Sequence, residues 1–569
     1  MDNNNLIAAV ILSVIILVGF QYLYVKPQQE AYRQQVLTEK LAQTDVKPNA
    51  LNDQTAPKSS RAEIINQGER VKIITPELHG SINLKGARID DLTLAQYHET
   101  TDPSSAEIVL LSPAGSAPPQ QAYYAEFGWL GDKNMAVPTS DTVWKAEGKE
   151  LTPEHPLKLV WDNKQGLTFE RTFAIDDHFM FTVTDHVQNH SASPALLYPY
   201  GLVTRQGKPP TRDIYILHEG PLGVLDGTLK DPKYKDLMTD TKITTPSTGG
   251  WLGITDKYWL VAVIPPQDEK VSAEFVYDRG SDPDPLQGQF QSDFRSTAFT
   301  IAPEATAEHV AHLFAGAKLV RILDRYQTQF GIPLFDHAID FGWFYFLTKP
   351  FLYLLDFLSH LFGSFGLAIL AFTVLLKVIT LPLSLKSYRS MAKMKALQPE
   401  MQRLQERFKD DKLRQSAEVM DLYKREKVSP LSGCLPNLIQ IPIFFALYKV
   451  LYVGIEMRQT PFYGWIKDLS APDPTSVFTL CGLIHWMPPN FLQIGIWPLM
   501  MGLSMFMQQR LSPQPPDKTQ ARMFMFLPII FTYMLRAMPS GLVIYWTWSN
   551  LLSIAQQWFI MWHAPKKTP

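Results

Sequence analysis

The chain has 569 residues, with 53 Lys and Arg against 55 Asp and Glu, for a net charge of −2. That length exceeds one ordinary core, and the charge balance excludes a nucleic-acid-binding protein, which carries a basic surplus over its binding domain. Cys434 and Cys481 form neither a disulfide framework nor a metal site of cysteine spacing.

Leu6 to Val25, LIAAVILSVIILVGFQYLYV, is an apolar run of twenty residues, and about 20 such residues at 1.5 Å each span a ~30 Å hydrocarbon core. A cleaved signal peptide is the alternative. MDNNN, however, has no Lys or Arg, and Gln21, Tyr22 and Tyr24 stand where a small-residue cleavage site belongs, so residues 1–25 read as an uncleaved anchor. Residues 26–60, rich in Gln, Asn and Thr, read as a flexible tether.

Residues 61–335 change to short alternating runs separated by Gly and Pro turns. Leu167 to Val187 alternates around an Asp-Asp turn, and Trp259 to Pro265 and Phe294 to Ile301 look similar, which predicts a large all-β domain of sandwich type. His312 to Tyr326 reads as helix. No Gly-rich phosphate loop, HExxH or G-x-S-x-G motif occurs, and His79, His98 and His178 stand apart from one another. His186 and His190 close a strand, where a four-residue spacing does not stack two ligands. No catalytic residue, metal or cofactor is expected.

Residues 336–363 suit an amphipathic helix in the membrane interface, with Lys349, Asp356 and His360 on one side and aromatics on the other; a further span is the competing reading. Residues 364–385 are the second expected span. It contains Gly366 to Leu385 with one lysine, Lys377. An ammonium group at such depth costs roughly 2.5–3.5 kcal/mol and usually faces a bundle interior or a wet cavity. The alternative is snorkelling, since Leu385 lies only about eight residues, roughly 12 Å, further on. Thr373, one turn earlier, continues the polar face.

The loop 386–432 carries twelve Lys or Arg against seven acids, which places it in the cytoplasm. Met391, Met394, Met401, Leu404 and Phe408 follow helical spacing, as do Leu413, Ala417, Met420 and Tyr423, with the turn at Lys409 to Lys412, so a helical hairpin is expected. Such a Met-rich stripe is ordinarily packing, and it also suits transient contact with varied apolar segments. Residues 433–455, 494–511, 523–538 and 541–562 are four more expected spans. A loop on the outer side, 456–493, and a tail, 563–569, complete the chain. With 386–432 inside, both termini are cytoplasmic and the β domain lies outside.

Four stretches carry a resemblance: SMAKMKALQPEMQRLQERFKDDK, EVMDLYKREKVSPLSGCLPNLIQIPIFFALYKVL, TPFYGWIKDLSAPDP and FLPIIFTYMLRAMPSGLVIYWTWSNLLSIAQQW. In order and spacing they resemble the YidC/Oxa/Alb insertase family in its Gram-negative form, over most of residues 340–562. The resemblance implies a polytopic α-helical membrane protein of six transmembrane helices with a five-helix insertase core, and a periplasmic β-supersandwich. It further implies a bacterial inner-membrane location and a hydrophilic groove open to cytoplasm and lipid. The family's groove usually carries an arginine where this chain has Lys377, which keeps the charge and loses the guanidinium fork. Thr373, Gln440, Tyr545 and Trp546 match groove positions, and Asn437 lies one turn from Gln440. The function implied is non-enzymatic insertion and chaperoning of nascent membrane proteins, by a monomer among membrane lipids, with the ribosome and the Sec translocon as partners. Two rivals stand beside it. A small-anion transporter would show inverted repeats or paired broken helices, and a membrane enzyme would need a carboxylate beside Lys377; the sequence offers neither.

Overall fold

A computed structural model of the chain describes residues 59–132, 135–209, 217–280, 282–409, 411–426, 428, 435–482, 489, 493–511 and 518–562. The anchor expected at 1–25, nearly all of the tether and the tail 563–569 lie outside these residues.

Alternation builds the β domain. In Leu167–Ile175 every second residue is buried, and Met180–Asn189 returns beside it, with Phe181 opposite Ile175. Asp176 shapes the turn by accepting from the backbone N–H groups of His178 and Met180. This hairpin belongs to a nine-stranded sheet that runs Thr228–Lys230, Gly220–Leu225, Trp251–Thr255, Trp259–Ile264, Thr306–Ala317, Met180–Asn189, Leu167–Ile175, Leu157–Asp162, Lys145–Glu147. An eleven-stranded sheet packs against it, centred on Gln289–Ser296, Ala195–Gln206 and Tyr123–Gly131. Trp129, Phe127 and Phe294 fill the space between. Arg171 crosses that layer: its guanidinium grips Asp185 at 2.7 and 2.8 Å and donates to the Phe127 carbonyl at 2.6 Å, while Trp129 Nε1 donates to the same carboxylate at 3.1 Å. Such a buried charge is tolerable only when fully partnered.

Two sequence expectations change here. His312 to Tyr326 is not one helix, because Thr306–Ala317 is a strand laid between Met180–Asn189 and Trp259–Ile264, and the helix begins only at Val320. The strand's polar residues His309 and His312 mimic helical spacing, but pairing on both sides decides the conformation. Phe294 to Ile301 is likewise two strands, Gln289–Ser296 and Phe299–Ile301.

The helices are α1 (Arg61–Asn66), α2 (Tyr234–Asp240), α3 (Val320–Gln329), α4 (Tyr345–Phe362), α5 (Phe365–Ile379), α6 (Leu381–Arg407), α7 (Lys412–Arg425), α8 (Leu435–Val453), α9 (Ile496–Leu511), α10 (Lys518–Leu535) and α11 (Ser540–Trp562). The run Gly366 to Leu385, expected as one helix, divides at Thr380. Pro382 has no N–H to return to the preceding turn, so α5 stops and α6 starts with the proline in its first turn. α4 and α5 meet at 120° across Gly363, whose φ of 66° suits glycine.

α4 turns its charged side to the β domain. Lys349 Nζ reaches Asp324 of α3 at 2.8 Å and Asp336 at 2.6 Å, and Arg321 of α3 pairs with Asp356, which is 6% exposed. The opposite face exposes Phe346, Phe357, Leu361 and Phe362. Lys449 of α8 meets Asp340 at 2.8 Å, and Arg458 and Gln459 donate to the His98 carbonyl at 2.6 and 2.9 Å. Within this joint Glu456 is half-buried, with its Oε2 atom shielded from solvent and unpartnered. Burial, then the Asp356 charge, pushes its carboxyl up to about 7.

A carboxyl whose folded pKa lies above its unfolded value contributes stability that is complete below about pH 4.5 and lost as pH rises through about 7. Asp293, also pushed up to about 7 by burial, acts in the same window. The melting temperature of the detergent-solubilised chain should therefore fall between about pH 4.5 and about pH 7.5, and Glu456→Gln should flatten that fall. An unchanged slope in the variant would remove Glu456 from this account.

Candidate functional site

Helix α11 runs 23 residues without a charged side chain, yet it is polar on the inside. Tyr545, Ser549, Ser553 and Gln557 recur every four residues and form one stripe about 18 Å long. All four are buried, as is Asn550, whereas Leu551, Trp558 and Phe559 point outward. This is the reverse of a soluble amphipathic helix. The neighbouring helices share the pattern: Ile439, Ile441 and Phe445 of α8, Leu503 and Met507 of α9, and Phe526, Ile529, Ile530 and Met534 of α10 are exposed. Their polar groups turn inward, with Asn550 Nδ2 donating to Ser504 of α9 at 3.1 Å and Gln557 Nε2 to the Leu511 carbonyl at 3.2 Å.

Lys377 enters this seam from α5. Its side chain is half-buried and Nζ donates to Ser553 Oγ at 2.8 Å; Ser553 in turn donates to the Ser549 carbonyl at 2.9 Å. Among the described residues no carboxylate lies within ion-pair distance of Lys377. Gln440 of α8 donates from Nε2 to the Tyr545 hydroxyl at 2.7 Å, so α8 and α11 are joined two steps along the stripe from Ser553. Trp546 packs against Phe444 and Phe531 with ring centroids 4.6 and 5.2 Å apart, and forms an aromatic wall beside the polar groups.

Thr373 sits on the same face but is spent locally: it is 1% exposed and its hydroxyl donates to the Ile369 carbonyl at 2.6 Å. The side chain of Asn437 lies outside the described residues. In the hairpin of α6 and α7, Met401, Leu422 and Tyr423 form a small core against which Met394 and Leu404 pack, so these stripe residues hold the hairpin together. Met391 contacts Ser387 Oγ through sulfur at 3.9 Å, and Phe408 ends α6 beneath the guanidinium groups of Arg407 and Arg414.

Ser504, Ser549, Asn550, Ser553 and Gln557 were not among the residues expected from the sequence. Their signal was present, since Ser and Gln recurring every fourth position in an uncharged 23-residue helix marks an inward polar stripe.

Residues 70–354 match the family profile described as the YidC periplasmic domain, and residues 357–567 match the one described as the 60Kd inner membrane protein. A membrane protein insertase YidC of Methylorubrum extorquens is 48% identical over 593 aligned positions, covering 98% of this chain and 95% of that one. The chain belongs to the YidC membrane insertase family. A second YidC relative, from Beijerinckia indica, is 48% identical over 100% of this chain and 97% of its own. The crystal structure of an active YidC insertase aligns with a TM-score of 0.36 at 14% identity, covering 90% of this chain and 94% of that one. A galactose mutarotase related enzyme from Lactobacillus acidophilus overlaps 43% of the chain, with a TM-score of 0.32 at 9% identity. The β-rich part of this YidC-family chain is the portion that the periplasmic profile covers.

Tyr545→Phe removes the acceptor that Gln440 uses and should cost about 1 kcal/mol. The double variant with Gln440→Leu should cost less than the sum of the single changes, because the two groups answer each other. Denaturation of the purified chain in detergent measures both.

Proposed function

We propose that this chain inserts nascent proteins into the bacterial inner membrane, and assists their folding there, by carrying a short polar tail along the seam between α5, α8 and α11. The observation that carries this reading is Lys377, drawn inward to Ser553 with no carboxylate of its own among the described residues. A cation so placed has an electrostatic vacancy that a tail carboxylate fits.

The physical task is to lower a desolvation barrier. A polar or acidic tail pays heavily to enter hydrocarbon, and a lining of hydroxyl and amide groups replaces part of its water. The substrate's apolar segment meanwhile leaves water for lipid, at about 0.8 kcal/mol per buried CH₂. That partition drives the transfer, with the membrane potential acting on the tail's charge.

In this reading the exposed apolar faces of α8, α9, α10 and α11 meet lipid, and six spans cross the membrane with both termini in the cytoplasm. No single described helix is both long and apolar enough to be a span by composition; the bent pair α4 and α5 is, jointly. For α11 the seam accounts for this, because Ser549, Asn550, Ser553, Gln556 and Gln557 lower its hydropathy although 23 residues reach about 34 Å. The exposed aromatic face of α4 lies along the outer interface. The basic hairpin of α6 and α7 faces the cytoplasm, where ribosome-bound chains arrive, and the Sec translocon is the partner for substrates too large for the seam alone. The protein acts as a monomer.

Vesicles holding the wild type or Lys377→Ala, Lys377→Arg or Lys377→Glu should be compared for insertion of single-span substrates with acidic and neutral tails. Ala and Glu should lose acidic-tail insertion roughly tenfold or more while Arg retains it, as expected for loss of one charge-assisted contact. Equal insertion by all four would sink the charged-seam reading.

A further inference from the structure

We infer that Ser553 is the positioning residue that displays the Lys377 charge inside the seam, and so sets the preference for acidic tails. This rests on the insertase reading of the same site and adds the group that decides where its cation points.

Lys377 is close to the end of α5, since Ile379 is the last residue of that helix. A four-carbon stem there has two destinations: along its own helix to the cytoplasmic rim, or sideways between helices. Without a partner in the interior the rim wins, because an ammonium group is strongly hydrated. Sideways, it meets Ser553 Oγ at 2.8 Å, on a residue 5% exposed and 176 positions away in sequence.

The chemistry of that hydroxyl is one-sided. Its single proton is committed to the Ser549 carbonyl at 2.9 Å, so it offers its neighbours only lone pairs. Lone pairs hold an ammonium group and give nothing to a carboxylate. An arriving tail carboxylate therefore finds the two remaining N–H donors of Lys377, and no competing donor on Ser553. The Tyr388 hydroxyl of α6 also faces Ser553 and closes the cradle from the third helix. The arrangement also fits the residue used. An arginine would spread five donors across a fork, whereas a lysine has one compact head that a single acceptor can fix.

The test compares Ser553→Thr with Ser553→Val. Both introduce the same branched shape, so any packing cost is shared, and they differ only in the hydroxyl. The full-length chain in vesicles is scored by the ratio of acidic-tail to neutral-tail insertion. In parallel, Lys377 is labelled by a membrane-impermeant amine reagent applied from the cytoplasmic side and read by mass spectrometry. The ratio should fall roughly tenfold in Ser553→Val and stay near wild type in Ser553→Thr. Labelling of Lys377 should rise in the valine variant alone. If Ser553→Val matches Ser553→Thr in both readouts while Lys377→Ala abolishes the acidic-tail preference, Ser553 has no positioning role and the charged seam survives. If Lys377→Ala keeps that preference, the charged-seam reading falls and this inference falls with it.

Discussion

Polar groups buried among apolar helices must find partners inside the protein, and that requirement organises the helical half of this chain. Tyr545 is answered by Gln440, Asn550 by Ser504, Gln557 by the Leu511 carbonyl and Lys377 by Ser553. Together the four pairs join α11 to three neighbours, two of them to α9, so the stripe on one helix fixes its approach to α5, α8 and α9. The same requirement sends the large apolar side chains outward. Stability and the proposed transfer route thus depend on the same groups, which limits how freely either can be altered.

A second set of charges ties the β domain to the helices. Lys349 holds Asp324 and Asp336, Arg321 holds Asp356, and Lys449 holds Asp340. The amphipathic helix α4 therefore has Lys349 and Asp356 paired within the protein, while its aromatic side is left for the surroundings. Glu456, half-buried beside Asp356 with its Oε2 unpartnered, is the weak point of this joint. Above neutral pH two carboxylates there share one guanidinium group, that of Arg321.

Much of this was legible from pattern. Period-two alternation marked Leu167 to Val187, and a lone lysine in an apolar run marked Lys377. The failures have physical causes. Thr306–Ala317 was misread at its end because central-strand pairing overrides local spacing, and the division of α5 from α6 turns on Pro382, which a hydropathy count passes over. The methionine stripe of α6 was visible, but that Met401 and Leu404 face α7 depends on a tertiary contact. The four-residue recurrence of Ser549, Ser553 and Gln557 marks an inward stripe, but that Ser553 is the member that meets Lys377 depends on a contact 176 residues away.

The most direct measurement is a crosslinking map. A photoreactive residue in the polar tail of a ribosome-bound, single-span nascent chain would be activated during insertion, and its attachment sites on the full-length protein identified by mass spectrometry. Passage through the seam gives attachment on the inward faces of α5, α8 and α11, around Lys377, Gln440, Tyr545 and Ser549. Attachment confined to the outward faces, such as Leu503 of α9 and Ile529 of α10, would contradict it and return the polar stripe to a purely structural role.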